Sequence, residues 1–261
     1  MHSQDTMRAD DMSLVACDPN IPFSTYTEGC LFSVIIPVLH ESESINTLIK
    51  NLGEVPTQYT IELIVVDGSD RQDTINAIHA QNVISLVSAE GRARQMNAGA
   101  SVARGDVLVF LHADTLVPSN AFSCMEAALK DEQVVGGAFD LGIRSNRFIF
   151  KVIGKIASLR SRFTRIPYGD QTIFMRSAYF HAIGGYREIP LMEDVELMQR
   201  IKRRGDTICI LSEKVSTAPR RWEREGIIYC TLRNWFVLLL YYCGVSPQRL
   251  INYYRPHGNI P

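Results

Sequence analysis

Four predominantly apolar runs of strand length, each separated from the next by a helical pattern, constrain this chain more than any other feature. They are residues 31–37 (Leu-Phe-Ser-Val-Ile-Ile-Pro), 62–66 (Glu-Leu-Ile-Val-Val), 83–87 (Val-Ile-Ser-Leu-Val) and 107–111 (Val-Leu-Val-Phe-Leu). Runs this rich in β-formers, without polar alternation, read as strands covered on both faces. Pro37, which cannot donate to a ladder, is expected to end the first. Between the runs, Ile45, Leu48, Ile49 and Leu52 have helical spacing, and Gly53 closes that helix. Asp73 is placed to cap a second helix, with Ile75 and Ile78 inward. Residues 91–103 form a third helix whose Ala93, Ala98, Gly99, Ala100 and Ala103 allow close approach to a sheet. A β-α-β-α-β-α-β order with short connections predicts an α/β fold: a mainly parallel sheet flanked by helices, joined by right-handed crossovers.

Open sheets of that kind bind ligands at the carboxyl ends of their strands. Three of the four runs end there in polar turns: Pro37 through His40 and Glu41, Asp67-Gly68-Ser69-Asp70, and His112-Ala113-Asp114. In an extended chain, residues i and i+2 point the same way, so His112 and Asp114 can share a divalent cation. A plain polar turn would leave the same residues. Arg92 and Arg94 open the third helix, where a helix N-terminus and a guanidinium together favour a diphosphate; a solvated charged turn is equally compatible. Gln95 and Asn97 read as helix surface.

The second half is less regular. It reads as a helix over Ala121–Leu129, a glycine-containing strand over Val134–Ile143, an apolar helix over 148–159, and a polar loop Tyr168-Gly169-Asp170-Gln171 before a strand at 172–175. Glu193 and Asp194 open a helix that ends in Lys202, Arg203 and Arg204, a charge order that suits the helix dipole. A last strand covers 208–211, and residues 226–243 are apolar and aromatic.

A net charge of −1 gives no electrostatic reason for a nucleic-acid partner. Cysteines stand at 17, 30, 124, 209, 230 and 243 with no Cys-x-x-Cys pair, which reads as reduced thiols in a cytoplasmic protein. Asp5, Asp10, Asp11 and Asp18 interrupt the first thirty residues, so these read as a disordered leader and not a signal peptide. No apolar run reaches the roughly 18–20 residues that span a bilayer. The helix at 148–159 is flanked by Arg144, Arg147, Arg160, Arg162 and Arg165. Such a helix either belongs to the core or lies on an anionic membrane surface, which leaves peripheral membrane association open.

Taken in order, these motifs resemble glycosyltransferase family 2, with the nucleotide-sugar fold called GT-A. Val34-Ile35-Ile36-Pro37 followed by Glu41 is similar to the family's first strand and turn. Val65-Val66-Asp67-Gly68-Ser69 resembles its second strand, whose aspartate contacts the nucleotide base. Residues 105–114 resemble its aspartate-x-aspartate metal motif, with His112 in place of the first aspartate and Asp114 as the second. Met192-Glu193-Asp194 is similar to the pair that supplies the catalytic base. The resemblance implies residues 31–215 as a GT-A domain, with 31–115 as nucleotide-sugar half and 116–215 as acceptor half. Residues 216–261 would be a C-terminal helical extension.

The implied activity is transfer of a sugar from a nucleoside-diphosphate donor, expected to be UDP-linked, to an acceptor hydroxyl, with inversion and with a divalent cation. The resemblance implies Asp194 as base with Glu193 beside it, Asp114 and His112 as metal ligands, and Pro37, Glu41, Asp67, Arg92, Arg94, Asp170 and Gln171 around the donor. Imidazole suits Mn²⁺ better than Mg²⁺, so the histidine bears on which metal binds. Arg220-Arg221-Trp222 is similar to the motif of processive members, but Ala218 stands where their glutamine would, which argues against polymer synthesis. A sugar nucleotidyltransferase is a competing reading, but its glycine-rich loop after the first strand is missing. A non-catalytic nucleotide-sugar or membrane-binding module also fits the altered metal motif.

Overall fold

The computed structural model describes residues 31–254; the expected leader at 1–30 lies outside the described residues. The first half runs β1 (Leu31–Val38), α1 (Ile45–Gly53), β2 (Thr60–Asp67), α2 (Asp73–Asn76), β3 (Val83–Val87), α3 (Arg92–Val102), β4 (Val107–Phe110) and β5 (Thr115–Leu116). Next come α4 (Ala121–Leu129), β6 (Val134–Ile143), α5 (Phe148–Thr164), β7 (Ile173–Arg176), α6 (Ser177–Ala182), α7 (Glu193–Arg204) and β8 (Thr207–Thr217). Helices α8 (Arg220–Glu225), α9 (Ile227–Tyr242) and α10 (Pro247–Leu250) follow. Gly169–Gln171 and Ile251–Tyr253 form single 3₁₀ turns.

The strands form one eight-stranded sheet in the order β3-β2-β1-β4-β7-β6-β8-β5. β1 pairs in parallel with β2 and β4, and β2 with β3, as the alternating pattern requires. β7 runs antiparallel to both β4 and β6, and β8 is parallel to β6. The two halves therefore share one sheet. β8 is longer than the expected 208–211, and its last residue, Thr217, pairs with Thr115, so the strand runs two residues past the expected domain boundary at 215.

Both sheet faces are covered, which explains why the strands lack alternation. Phe32, Val34 and Ile36 of β1 join α1 and α4 through Ile45, Leu48, Ala121 and Phe122. Ile35 points the other way, into a cluster with Met96 and Ala100 of α3 and with Val195 and Met198 of α7. Burying each such large side chain stabilises the fold by about 1.5–3 kcal/mol. Gly99 sets the distance of α3 from the sheet: a Cβ there would collide with the Ile35 side chain.

Three local expectations are corrected. Pro37 does not end β1; it sits within the ladder opposite Val66, and the strand continues to Val38. Asp73 is the first residue of α2 and not its cap, since the preceding Gln72 adopts a left-handed φ of 52°. The α2 N–H groups of Thr74 and Ile75 donate instead to Asp67 Oδ2, at 3.1 and 3.3 Å. Helix α5 extends beyond 159 to Thr164, which places Arg160 and Arg162 inside it.

Candidate active site

The carboxyl ends of β1, β2 and β4 lie on one edge, because the three strands are neighbours in parallel register. Gln95 of α3 ties two of those ends together. Its Nε2 donates to Val38 O at 2.7 Å and to Val66 O at 2.8 Å, and the residue is 3% exposed. The expectation of a surface glutamine is therefore corrected. Asn97 is also structural: it exchanges hydrogen bonds with Tyr186, donating to its carbonyl at 2.8 Å and accepting from its N–H at 2.9 Å.

His112 and Asp114 follow β4, both half-buried. Both hydrogen bonds to the Asp114 carboxylate fall on Oδ1, from Thr115 and Thr217 hydroxyls at 3.2 and 3.4 Å. Oδ2 has none among the described residues. Across from His112 stands the turn at Gly169, packed so tightly that a Cβ on it would lie 2.8 Å from His112 Nε2 and 3.6 Å from Asp194 Oδ2. The Gly169 N–H donates to Asp194 Oδ2 at 2.7 Å, and the Val195 N–H donates to Oδ1 at 2.7 Å. The turn after α5, the end of β4 and the start of α7 thus converge on one spot.

The charges there act on each other. Burial pushes His112 down to about 4, helped by Arg92 and opposed by Asp114. Burial pushes Asp170 up to about 6; Arg160 and Arg92 oppose this, while Asp194 and Asp114 add to it. Burial and Asp194 raise Glu193 to about 7 against the pull of Arg92. Arg92 keeps an exposed surface; desolvation by the surrounding protein works against its charge, but Tyr254, Glu193, Asp194 and Asp114 outweigh it and hold its pKa above the ordinary value. Asp170 Oδ1 is buried without a hydrogen-bond partner, a costly state for a carboxylate unless a ligand meets it.

Among the described residues no group of three His, Cys, Asp or Glu side chains is arranged to cage a metal ion. The donor set fits a different arrangement. One carboxylate oxygen of Asp114 is available, and hard cations such as Mg²⁺ commonly bind one or two carboxylates together with substrate phosphate oxygens.

The other expected residues divide. Arg92 belongs to this cluster, but Arg94 pairs with Glu188 at 3.0 Å, an ion pair half-exposed on both sides. Asp67 is fully buried, and its oxygens accept from the N–H groups of Ser69, Thr74 and Ile75. Glu41 accepts from the Ser44 hydroxyl and pairs with Arg220 at 3.3 Å. Gln171 is fully buried, its amide donating to Phe139 O and Ser161 Oγ while its oxygen accepts from Arg160 and Tyr168 N–H. These bonds let Gln171 hold the loop that carries Asp170.

Sequence reasoning missed Arg160, whose guanidinium stacks 3.2 Å above the Tyr168 ring centroid, with its Nε buried and unpartnered. Burial lowers its pKa, against Asp170 and Asp194. Among flanking arginines nothing in its spacing singled it out. Tyr254, which takes a hydrogen bond from Arg221, was missed for the same lack of a local pattern.

The fold is shared with solved glycosyltransferase structures at low identity. Residues 1–349 of S. aureus TarS align with TM-score 0.54 and 19% identity over 72% of this chain and 60% of that one. The mannosyltransferase PcManGT from Pyrobaculum calidifontis, in complex with GDP-Man and Mn²⁺, aligns with TM-score 0.56 and 19% identity over 73% and 57%. The matched region is thus under two thirds of either neighbour's length. No curated protein matches the chain. The model of Glycosyl transferase family 2 matches residues 33–184, more than half of the sequence, and the chain belongs to that family.

Proposed function

We propose that this chain transfers a sugar from a nucleoside-diphosphate donor to an acceptor hydroxyl, with inversion at the anomeric carbon and with a divalent cation. The observation that carries the reading is the convergence of Asp194, His112 and the Gly169 turn beside Asp114, Asp170 and Arg92. Asp194 takes the proton of the attacking hydroxyl, a poor nucleophile until deprotonated. Its two backbone hydrogen bonds fix the carboxylate without exhausting its lone pairs. Glu193, at about 7, has a pKa suited to acid–base work, but at 6% exposed it is the more shielded of the pair.

Arg92 and the N-terminus of α3 hold the diphosphate. Asp114, with His112 alongside, would hold the cation, and a bound cation would act as a Lewis acid on the leaving diphosphate. The His112 ring favours Mn²⁺ over Mg²⁺. Asp170, with its unpartnered oxygen, receives donor hydroxyls. Pro37, Glu41 and Asp67 border the nucleoside; Asp67, fully buried, shapes that end of the cleft through its bonds to the Ser69, Thr74 and Ile75 N–H groups. Uridine diphosphate is the expected carrier, and the GDP-Man in the PcManGT complex makes guanosine the second nucleotide to assay.

The test is Asp194→Asn with Glu193→Gln in parallel. Asp194→Asn keeps donor binding and lowers transfer by about 10²–10⁴. It also turns an NH₂ toward one of two backbone N–H groups, costing about 1–3 kcal/mol, so melting temperature is measured alongside. A folded, donor-binding Asp194→Asn working at the parental rate overturns the assignment, and loss of transfer in Glu193→Gln alone moves the base to Glu193.

A further inference from the structure

Two helices expose apolar side chains that no other described residue covers. On α9, Ile228, Leu232, Trp235, Leu239 and Tyr242 recur at steps of three and four, one helical stripe, and are 51–76% exposed. On α5, Ile149, Ile156, Leu159 and Phe163 recur at steps of seven, three and four and are 42–80% exposed. Side-chain interactions link α5 to the α8–α9 segment at both ends. Phe150 of α5 packs edge-on against Trp222, 5.9 Å between centroids, in the helix that leads into α9. At the other end, the charge of Arg160 on α5 interacts with Tyr242, the last residue of α9.

Charge selects the occupant of this face. Neither helix contains an aspartate or glutamate. Lys151 and Lys155 of α5 are exposed, as are Arg144 and Arg147 just before it. In a two-fold dimer through this face the same patch meets itself, which brings these like charges together. An anionic bilayer complements them and accepts the apolar stripe between them. Tyrosine and tryptophan on that stripe are residues that favour the membrane–water boundary, and lysines there can keep their ammonium groups in the headgroups. No described helix is long and apolar enough to cross a membrane. We propose that the exposed faces of α5 and α9 lie flat on an anionic lipid surface, half-embedded and not spanning it. This binding is independent of whether the cleft transfers a sugar.

The experiment is co-sedimentation of the full chain with phosphatidylcholine vesicles, with and without phosphatidylglycerol. The chain is expected to sediment with the anionic vesicles, less so at high salt, and poorly with the neutral ones. Leu232→Glu with Trp235→Glu should lower partitioning tenfold or more. Lys151→Glu with Lys155→Glu should lower it about tenfold or more on anionic vesicles only. All four positions lie outside the cleft, and unchanged melting temperatures show that the variants fold. If the folded parent fails to bind anionic vesicles, the proposal is overturned. It is equally overturned if ultracentrifugation shows a dimer that Leu232→Glu with Trp235→Glu dissociates while vesicle binding is absent.

Discussion

Replacing Gly169 with alanine adds one methyl group where three parts of the site meet. The new Cβ would stand 2.8 Å from His112 Nε2 and 3.1 Å from Cε1. Comfortable separations are about 3.5–4.0 Å, so the ring or the turn must give by roughly 0.7 Å. Overpacking of this kind costs about 1–3 kcal/mol. His112 is half-buried and meets the methyl group with the end of its ring, which puts the cost in the lower part of that range. For a chain of this size that is a fall of about 2–8 °C in melting temperature, at about 2–4 °C per kcal/mol. Activity should suffer more. The Gly169 N–H anchors Asp194 at 2.7 Å, and a misplacement near 1 Å can cost about 10² in rate. Gly53→Ala is the control: nothing lies within 4 Å of a Cβ there, and the expected effect is a gain of up to about 1 kcal/mol with activity unchanged. Donor hydrolysis and thermal unfolding read both variants. A Gly169→Ala protein with parental melting temperature and rate would show that the turn does not press on His112 and Asp194.

Two further predictions concern the frame around the cleft. Glu62 accepts from Ser33 Oγ and from the Arg104 N–H and guanidinium; burial opposes its ionised form, but these partners win and lower its pKa below the ordinary 4.5. Its stabilisation is therefore complete above the unfolded value and lost as pH falls through the lowered folded one, so the parent should lose more melting temperature than Glu62→Gln on acidification below about 4.5, and equal slopes would contradict this. Gln95→Leu removes both hydrogen bonds of the Gln95 amide, although Val38 O keeps the Gly68 N–H at 3.0 Å, and should cost about 0.5–1.5 kcal/mol per bond lost, whereas a thermal unfolding curve like the parent's would mean that water replaces the amide.

The fold was legible wherever burial on two faces leaves short, β-branched-rich apolar runs bounded by turn residues, as in β1 to β4; the less branched apolar run at 235–242 is helical. What the runs do not encode is pairing. Nothing in residues 172–175 says that β7 inserts antiparallel between β4 and β6, since that order is set by long-range contacts. The site was legible where several ligand-type residues stand together, at His112-Ala113-Asp114 and Glu193-Asp194. It misled where a polar residue serves the frame. Gln95 and Asn97 look like helix surface because sequence shows no difference between a solvated amide and one that caps strand-end carbonyls. Arg92 and Arg94 looked equivalent, although residues two apart on a helix face in nearly opposite directions; that rule would have separated the Arg92 guanidinium from the Arg94–Glu188 pair. Arg160 had no local signal, because its partner Tyr168 lies beyond the end of its helix.

The backbone just before the acidic pair carries a last, separable test. Met192 adopts φ 67°, ψ 26°, in the left-handed region, and Glu193 and Asp194 follow directly. A side chain in that region costs roughly 1–2 kcal/mol that glycine does not incur. Glycine, however, has more freedom to lose on folding, worth about 0.4–1 kcal/mol where alanine fits the native conformation. Met192→Ala and Met192→Gly both lose the thioether packing against the two neighbouring apolar clusters, so that loss cancels in the comparison. What remains favours glycine by roughly 0.5–1 kcal/mol, the reverse of the ordinary order inside a helix. If left-handed strain fixes how α7 presents its first carboxylates, the more stable glycine variant should also be the slower of the two, because the turn before Glu193 is freed. Paired unfolding curves decide the first point and paired rates the second. An alanine variant more stable than the glycine one would mean that residue 192 is not held left-handed in solution, and the argument from strain at the start of α7 would fall with it.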